Sequence, residues 1–310
     1  MKTKLRSTAS LIYLCVGLTS GCFSGDAPVE RSSEGRVQVT LSPIDLEQLS
    51  SDPEALARVL SMPFVELAER LPPFTFQCEA EMSFTQGTKS FRQLDEHRYS
   101  EDEAQNFHAR IRSAENKEVN VWLQGGDLLV RRDQGKIRRS PRRDIEIEKW
   151  GELALSPQSH SFELFYPYLT LEPKGDEEFE GRKVRRFSLE LNPSPAAIKE
   201  SYQLPRPETR LAPVAAWREK AQPVDIDGFV LIDTEYKVVV QSSFRGRLKV
   251  SSDGDQGSDT ELMVRFESTI LDNPDQVSTA GLSHVVDEVS RARPKKGNLG
   301  FYDPPTEPSE

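Results

Sequence analysis

Residues 74–85 read FTFQCEAEMSFT, and this stretch decides the fold. Every even-numbered residue in it is apolar and every odd-numbered residue is polar. Because successive side chains of a strand point to opposite faces, the pattern predicts one long strand with an apolar face and a hydrated face. A strand of about twelve residues is roughly twice the usual length. It therefore requires partner strands along its edges and a cover for its apolar face.

The same alternation recurs along the chain and predicts further antiparallel strands. It is clearest near the end, where it runs through 229–233, 238–250 and 262–270. Glycine-containing turns such as Gln86-Gly87-Thr88 separate the segments. Shorter alternating segments are found at 107–111, 119–123, 128–132 and 184–191.

Helical patterns flank and interrupt these strands. Ser51-Asp52-Pro53-Glu54 is typical of a helix start, with a capping side chain followed by proline and an acid in the first turn. Pro63 restarts the helix before the long strand. Residues 145–173 carry an aromatic patch and are interpreted as helix or irregular structure. The proline-rich stretch 195–223 is interpreted as a helical excursion over one face of the sheet.

The N-terminus has the features of a secretory signal peptide. Lys2, Lys4 and Arg6 precede an apolar run, which ends in Leu-Thr-Ser-Gly before Cys22. This ending resembles the bacterial lipobox, with Thr19 where leucine is usual. The resemblance implies that Cys22 carries acyl chains such as palmitate. Because Phe23 rather than Asp follows, it also implies an outer-membrane location.

Four segments follow from these patterns. We expect a lipoprotein signal peptide at 1–21, a flexible tether at 22–36, a β domain with an N-terminal helix at 37–272, and a short amphipathic helix with a disordered tail at 273–310.

Composition argues against several classes of protein. The 310 residues are 36% hydrophobic and 29% charged, with a formal net charge of −10. This acidic balance does not favour binding nucleic acid or an anionic bilayer through bulk charge. G-x-S-x-G, S-x-x-K, C-x-x-C and glycine-rich phosphate-loop motifs are all absent from the sequence after residue 22. The sequence therefore predicts no catalytic residue, no enzyme activity and no cofactor.

Metal and thiol chemistry have little support in the sequence. After Cys15 in the apolar run and the lipidation candidate Cys22, only Cys78 remains, so no intrachain disulfide is expected. Cys78 lies on the apolar side of the long strand and is interpreted as a small buried hydrophobe. His97 and His108 would make a partial zinc site if they faced each other across a hairpin, but no metal site is predicted. The acidic loop 253–259 is interpreted as a solvated hairpin, since it lacks the full calcium-loop pattern.

A basic run at 131–143 reads RRDQGKIRRSPRR within this acidic chain. Guanidinium groups pair with phosphate and carboxylate, so the run is a candidate anion-binding site. The alternative is a solvated strand pair balanced by the acidic residues downstream. The candidate anion-binding residues are Arg131, Arg138, Arg139, Arg142 and Arg143.

Together these features resemble the LolA/LolB and LppX-type periplasmic lipoproteins. The shared pattern is a lipidated N-terminus, a helix before a very long amphipathic strand, consecutive antiparallel strands and a helical excursion before the last hairpins. The nearest local likeness is 228–233 leading into 238–240 and two further long strands. The likeness covers about residues 50–272 and is one of pattern. No binding residue of the family can be transferred, and the insertions at 145–180 and 195–225 have no counterpart.

The resemblance implies a mainly β (α+β) fold: a curved antiparallel sheet, or incomplete β-barrel, with helices covering its concave face and acyl chains held on that face. The alternative for the apolar face is a dry core packed on the helices. The candidate ligand-binding residues are Phe74, Phe76, Met82, Phe84, Phe244, Leu248, Leu262, Val264 and Phe266.

Two functions remain open at this point. The first is an envelope-anchored lipoprotein, facing the periplasm, that binds lipid or lipoprotein acyl chains without catalysis. The second is a structural or adaptor lipoprotein that contacts an envelope protein or an anionic polymer.

Overall fold

A computed structural model describes residues 43–104, 106–113, 117–124, 127–140, 146–194, 221–250, 260–272 and 277. Within these residues the chain forms three α-helices and one antiparallel sheet of 11 strands, in the order β6-β5-β4-β3-β2-β1-β11-β10-β9-β8-β7. The predicted mainly β architecture is confirmed.

The helices are α1 (Pro53–Leu60), α2 (Phe64–Arg70) and α3 (Glu146–Glu163), with a short 3-10 helix at Tyr166–Tyr168. The strands are β1 (Phe74–Gln86), β2 (Lys89–Glu101), β3 (Phe107–Arg112), β4 (Glu118–Gln124), β5 (Asp127–Arg132), β6 (Arg138–Ser140), β7 (Leu169–Phe179), β8 (Arg182–Leu191), β9 (Ala221–Asp233), β10 (Val239–Val250) and β11 (Thr260–Asp272).

Strand β1 lies at the centre of the sheet and is paired along both edges. It pairs with β11 from Phe74 to Gln86 and with β2 from Thr75 to Gln86. The pairing of β1 with β11 brings together residues almost 200 positions apart, such as Phe74 and Asp272, so the first and last strands of the sheet in the sequence are neighbours. Its apolar side contributes Phe74 and Phe76 to the core, where both are buried. The predicted need for partners on both edges is thus met.

The sheet is strongly curved, because two side chains from distant strands meet at one end. Arg182 of β8 donates from Nε to Asp272 of β11, with a nitrogen-to-oxygen distance of 2.8 Å, and from Nη1 to Asp233 of β9 at 3.0 Å. In a flat sheet β8 and β11 would lie about 14 Å apart, three strand spacings. Arg182, the hydrogen bond and Asp272 would reach that far only if all were fully extended in one line, whereas the same guanidinium also binds Asp233, so these strand ends lie closer together than in a flat sheet.

The helices cover the concave side of this curved sheet. Asp52 caps α1 as predicted, because its carboxylate accepts from the backbone N–H groups of Glu54 and Ala55 at 2.9 and 3.2 Å. Helix α2 begins without a side-chain cap of its own, and Glu152 of α3 accepts from Phe64 N at 2.7 Å. None of the helices in the described ranges has the length and apolar character of a membrane span.

Helix α3 resolves the segment that the sequence left as helix or irregular structure. It contacts β1, β2, β3 and β11 and is therefore a principal cover of the concave face. The excursion at 195–223 was predicted to cover one face of the sheet. Most of that segment, like the amphipathic helix at 278–289, lies outside the described residues.

Candidate functional site

The nine apolar candidate residues all lie on the concave face of β1, β10 and β11. Residues opposite each other in a ladder share a face, and Phe84 is opposite Leu262, which is opposite Leu248. Seven of the nine are buried, while Met82 and Phe84, nearest the β1–β2 hairpin, are partly buried. The structure therefore brings the whole set together on one surface.

Two aromatic rings cover the middle of this surface. The ring of Phe162 in α3 lies 5.0 Å from that of Phe244 and 6.1 Å from that of Phe266, measured between centroids. Phe165, just after α3, meets Phe244 edge-to-face at 6.0 Å. These separations are typical of favourable aromatic pairs. The covered part of the concave face is thus occupied by side chains of the protein itself.

Glycine makes this close approach possible. A Cβ atom added at Gly246 of β10 would overlap the ring of Phe165, and one added at Gly151 of α3 would overlap the ring of Phe64. Both glycines are therefore required by the space they leave for a neighbouring ring. Gly246 forms a notch in the sheet that receives Phe165.

A short polar chain also joins α3 to the sheet. Ser242 Oγ and Ser268 Oγ lie 2.7 Å apart on β10 and β11, and Ser268 Oγ donates to Gln158 Oε1 of α3 at 3.1 Å. Both serines are buried. Because buried hydroxyl groups need partners, this chain favours a single position of α3 across the sheet.

His97 provides a second polar contact beneath α3. Its Nδ1 lies 3.2 Å from the carbonyl oxygens of Leu153 and Ala154. Pro157 lies four residues after Leu153 and has no N–H to donate to that carbonyl. Burial lowers the pKa of His97, opposed by the charge of Asp95 and the hydrogen bonds to α3. The neutral ring is the form that fits this site, with Nδ1–H donating to the helix.

Cys78 lies opposite His97 in the β1–β2 ladder, with Asp95 two residues before His97 on the same face. A cysteine, a histidine and an aspartate are the residue types of a nucleophilic triad. Cys78 is buried, and burial raises the pKa of its thiol. The thiolate is the nucleophilic form of cysteine, and burial disfavours it. The Nδ1 atom of His97 is hydrogen-bonded to carbonyl groups of α3, so these three residues are best described as part of the core.

The two histidines considered for zinc do not face each other. His97 is opposite Ile111 and His108 is opposite Ser100, three residues from His97 along β2. An odd spacing puts the two rings on opposite faces of the sheet, so that hypothesis is wrong. Among the described residues, no three His, Cys, Asp or Glu side chains are grouped to hold a metal ion.

The concave face continues beyond the helices at the β1–β2 hairpin. Strand β2 pairs with β3 only from Glu96 to Glu101. Phe91 lies outside that paired segment and opposite Phe84, with ring centroids 6.4 Å apart. Its side chain is 53% exposed. Phe91 is not among the candidates predicted from the sequence, because its strand lacks a regular apolar alternation.

Two small depressions lie elsewhere, at the margin of the helices. One, of about 90 Å³, is lined by residues that include Leu49, Leu56 and Pro167. The other, of about 110 Å³, lies between the end of α2 and the end of β2. Ligand pockets usually measure about 300–1,000 Å³, so neither depression has the size of an acyl-chain cavity.

The basic run is divided between the two faces. Arg139 is opposite Leu129, on the convex side with Arg131, whereas Arg138 is opposite Val130 on the concave side. The described arginines of the run therefore do not form one cluster, because Arg138 is on the opposite face from Arg131 and Arg139. Arg142 and Arg143 lie outside the described residues, as do the lipidation candidate Cys22 and the loop 253–259.

No family model matches the chain, and no curated protein matches it. Similar solved structures do exist. LprF from Mycobacterium bovis is 10% identical, over 73% of this chain and 94% of LprF, with a TM-score of 0.29. A LolA superfamily protein from Nitrosomonas europaea is 12% identical over 68% and 92%, with a TM-score of 0.20. LppX from Mycobacterium tuberculosis is 12% identical over 66% and 92%, with a TM-score of 0.20.

These neighbours are of the kind that the sequence pattern indicated, LolA-superfamily and LppX-type proteins. The identities and TM-scores are low, so nothing about ligand or partner follows from them. The architecture of this chain rests on its own strands and register: an open, curved antiparallel sheet with helices packed on its concave face.

Proposed function

We propose that this chain is an envelope lipoprotein that binds a hydrophobic ligand, a lipid or the acyl chains of a lipoprotein, on the concave face of its sheet. Cys22 would carry the lipid anchor, and the outer membrane would be the site of attachment. No catalytic step is part of this proposal, and Cys78, which lies opposite His97, is buried with its thiol pKa raised.

One observation carries the proposal: the apolar concave face extends past its helical cover. Beneath α3 the face is filled by Phe162 and Phe165, but at the hairpin end Phe84 is only partly buried and Phe91 is 53% exposed. These two adjacent aromatic rings, one of them exposed, form an apolar surface of the kind that marks binding sites. An acyl chain would lie there, against Phe84 and Phe91, beside the part of the face that Phe162 and Phe165 fill.

The first experiment is native mass spectrometry with lipid extraction on residues 23–310, which lack Cys22 and hence any acyl group of their own. The proposal expects a co-purifying lipid at one copy per chain, or uptake of a fluorescent fatty acid by the bare protein. A protein that carries no lipid and takes up no fatty acid contradicts it.

The second experiment compares two exposed apolar residues on opposite faces. Phe91→Glu puts a charge on the concave surface, and we expect at least a tenfold loss of fatty-acid affinity. Met263→Glu is the matched control, since Met263 is 49% exposed and lies opposite Ser83 on the convex face. Both sites are exposed, so neither change should unfold the protein. Equal affinities of the two variants would exclude the proposed surface.

A second candidate function is an adaptor lipoprotein that contacts an envelope protein or an anionic polymer. The observation that favours it is the convex location of Arg131 and Arg139 on neighbouring strands. A salt-sensitive pull-down of an envelope partner, lost when both arginines are changed to serine, would support this function. Binding that is unaffected by the two changes would count against it.

A further inference from the structure

We draw no further inference here: the strongest candidate, the outer edge of β2 at residues 89–95 beside the exposed ring of Phe91, is not paired with β3, and nothing in the described part of the chain shows what covers it.

Discussion

The imidazole Nδ1 of His97 lies 3.2 Å from the carbonyl oxygen of Leu153, the acceptor that Pro157 leaves without its helical donor. A helix interior normally pairs this carbonyl with the N–H four residues later. Ser156 Oγ also donates to it, at 2.9 Å. The proline in α3 and the histidine in β2 therefore complement each other across the concave face.

This complementarity predicts an energetic coupling between His97 and Pro157. His97→Leu should lower the free energy of unfolding by about 0.5–1.5 kcal/mol, since it removes one hydrogen bond to a partly buried carbonyl to which Ser156 also donates. In a Pro157→Ala background the new N–H supplies that donor, and the loss should shrink by about 1 kcal/mol. Urea unfolding of the four proteins of the double-mutant cycle measures the coupling. Strictly additive effects would show that the two residues are independent.

His97 also predicts a dependence of stability on pH. Burial lowers the pKa of His97 in the folded protein, with Asp95 opposing, whereas an unfolded histidine takes up its proton near pH 6.5. The unfolded state therefore binds more protons below about pH 6.5, and the free energy of unfolding falls as the pH is lowered. For one group the slope is at most about 1.4 kcal/mol per pH unit.

Urea unfolding at pH 7.5 and 5.0 should show a smaller decline in His97→Leu than in the unchanged protein. His108 has a lowered pKa as well, but it is present in both proteins and its contribution cancels in the difference. If the free energy of unfolding declines equally in both proteins, His97 has the same pKa in the folded and the unfolded state.

Gly246 is predicted to be intolerant of any side chain. Gly246→Ala would force its Cβ against the buried ring of Phe165, and overpacking of this kind costs about 1–3 kcal/mol of unfolding free energy. Phe165→Leu in the same protein removes part of the ring and should recover some of that loss. Thermal unfolding of the single and double variants checks the size of the rescue. If the loss of stability in the double variant equals the sum of the losses in the two single variants, the overlap between residue 246 and the ring of Phe165 does not explain the effect of Gly246→Ala.

The buried ion pair of Arg182 with Asp233 is predicted to be far more important than the surface pairs of Arg185. Arg182 and Asp233 have side chains only 6% and 3% exposed. Arg182→Met leaves Asp233 buried without its counter-ion and should cost about 3–5 kcal/mol. Arg185 lies three residues along the same strand and pairs with Asp176, whose side chain is 60% exposed. Arg185→Met should cost less than about 1 kcal/mol, and similar losses would contradict this account.

Cys78 is predicted to be unreactive in the folded protein. Burial raises the pKa of its thiol, and only the thiolate reacts with disulfide reagents. In residues 23–310, which contain no other cysteine, a coloured thiol reagent should label the protein only after denaturant is added. Rapid labelling of the native protein would show that the covering helix opens readily.

Much of the fold follows from the alternation in β1, β10 and β11, because each has one face against the core. Strand β2 was not predicted, since its concave-facing residues include Gln93, Asp95 and His97, which are polar and belong to contacts with α3 and to each other. Pairing with β1 and β3 maintains it as a strand where its own pattern does not. The β1–β2 turn was recognised, but the polar strand after it was not.

The candidate sites show the same division. The nine apolar candidate residues share one face of the sheet, as the period-two spacing of their strands predicts. Phe91 was not among the candidates, because it precedes the polar residues Gln93 and Asp95 on the same face of its strand and meets Phe84 only through the ladder register. Whether the concave face is filled or open depends on where α3 lies. Its position depends on contacts between distant residues, such as those of His97 with the α3 carbonyl groups and of Gly246 with Phe165, which the sequence pattern does not show.

The two ends of the sheet bear on how these molecules behave when they are crowded. Strand β6 is only three residues long and contains Arg138 and Arg139. The outer strand β7 carries a charged stretch at 174–178, with Pro173 at a bulge. Short edges, charges, proline and bulges all prevent another chain from adding a strand. The sheet is therefore self-limiting, and its molecules can be packed densely without joining edge to edge into fibrils.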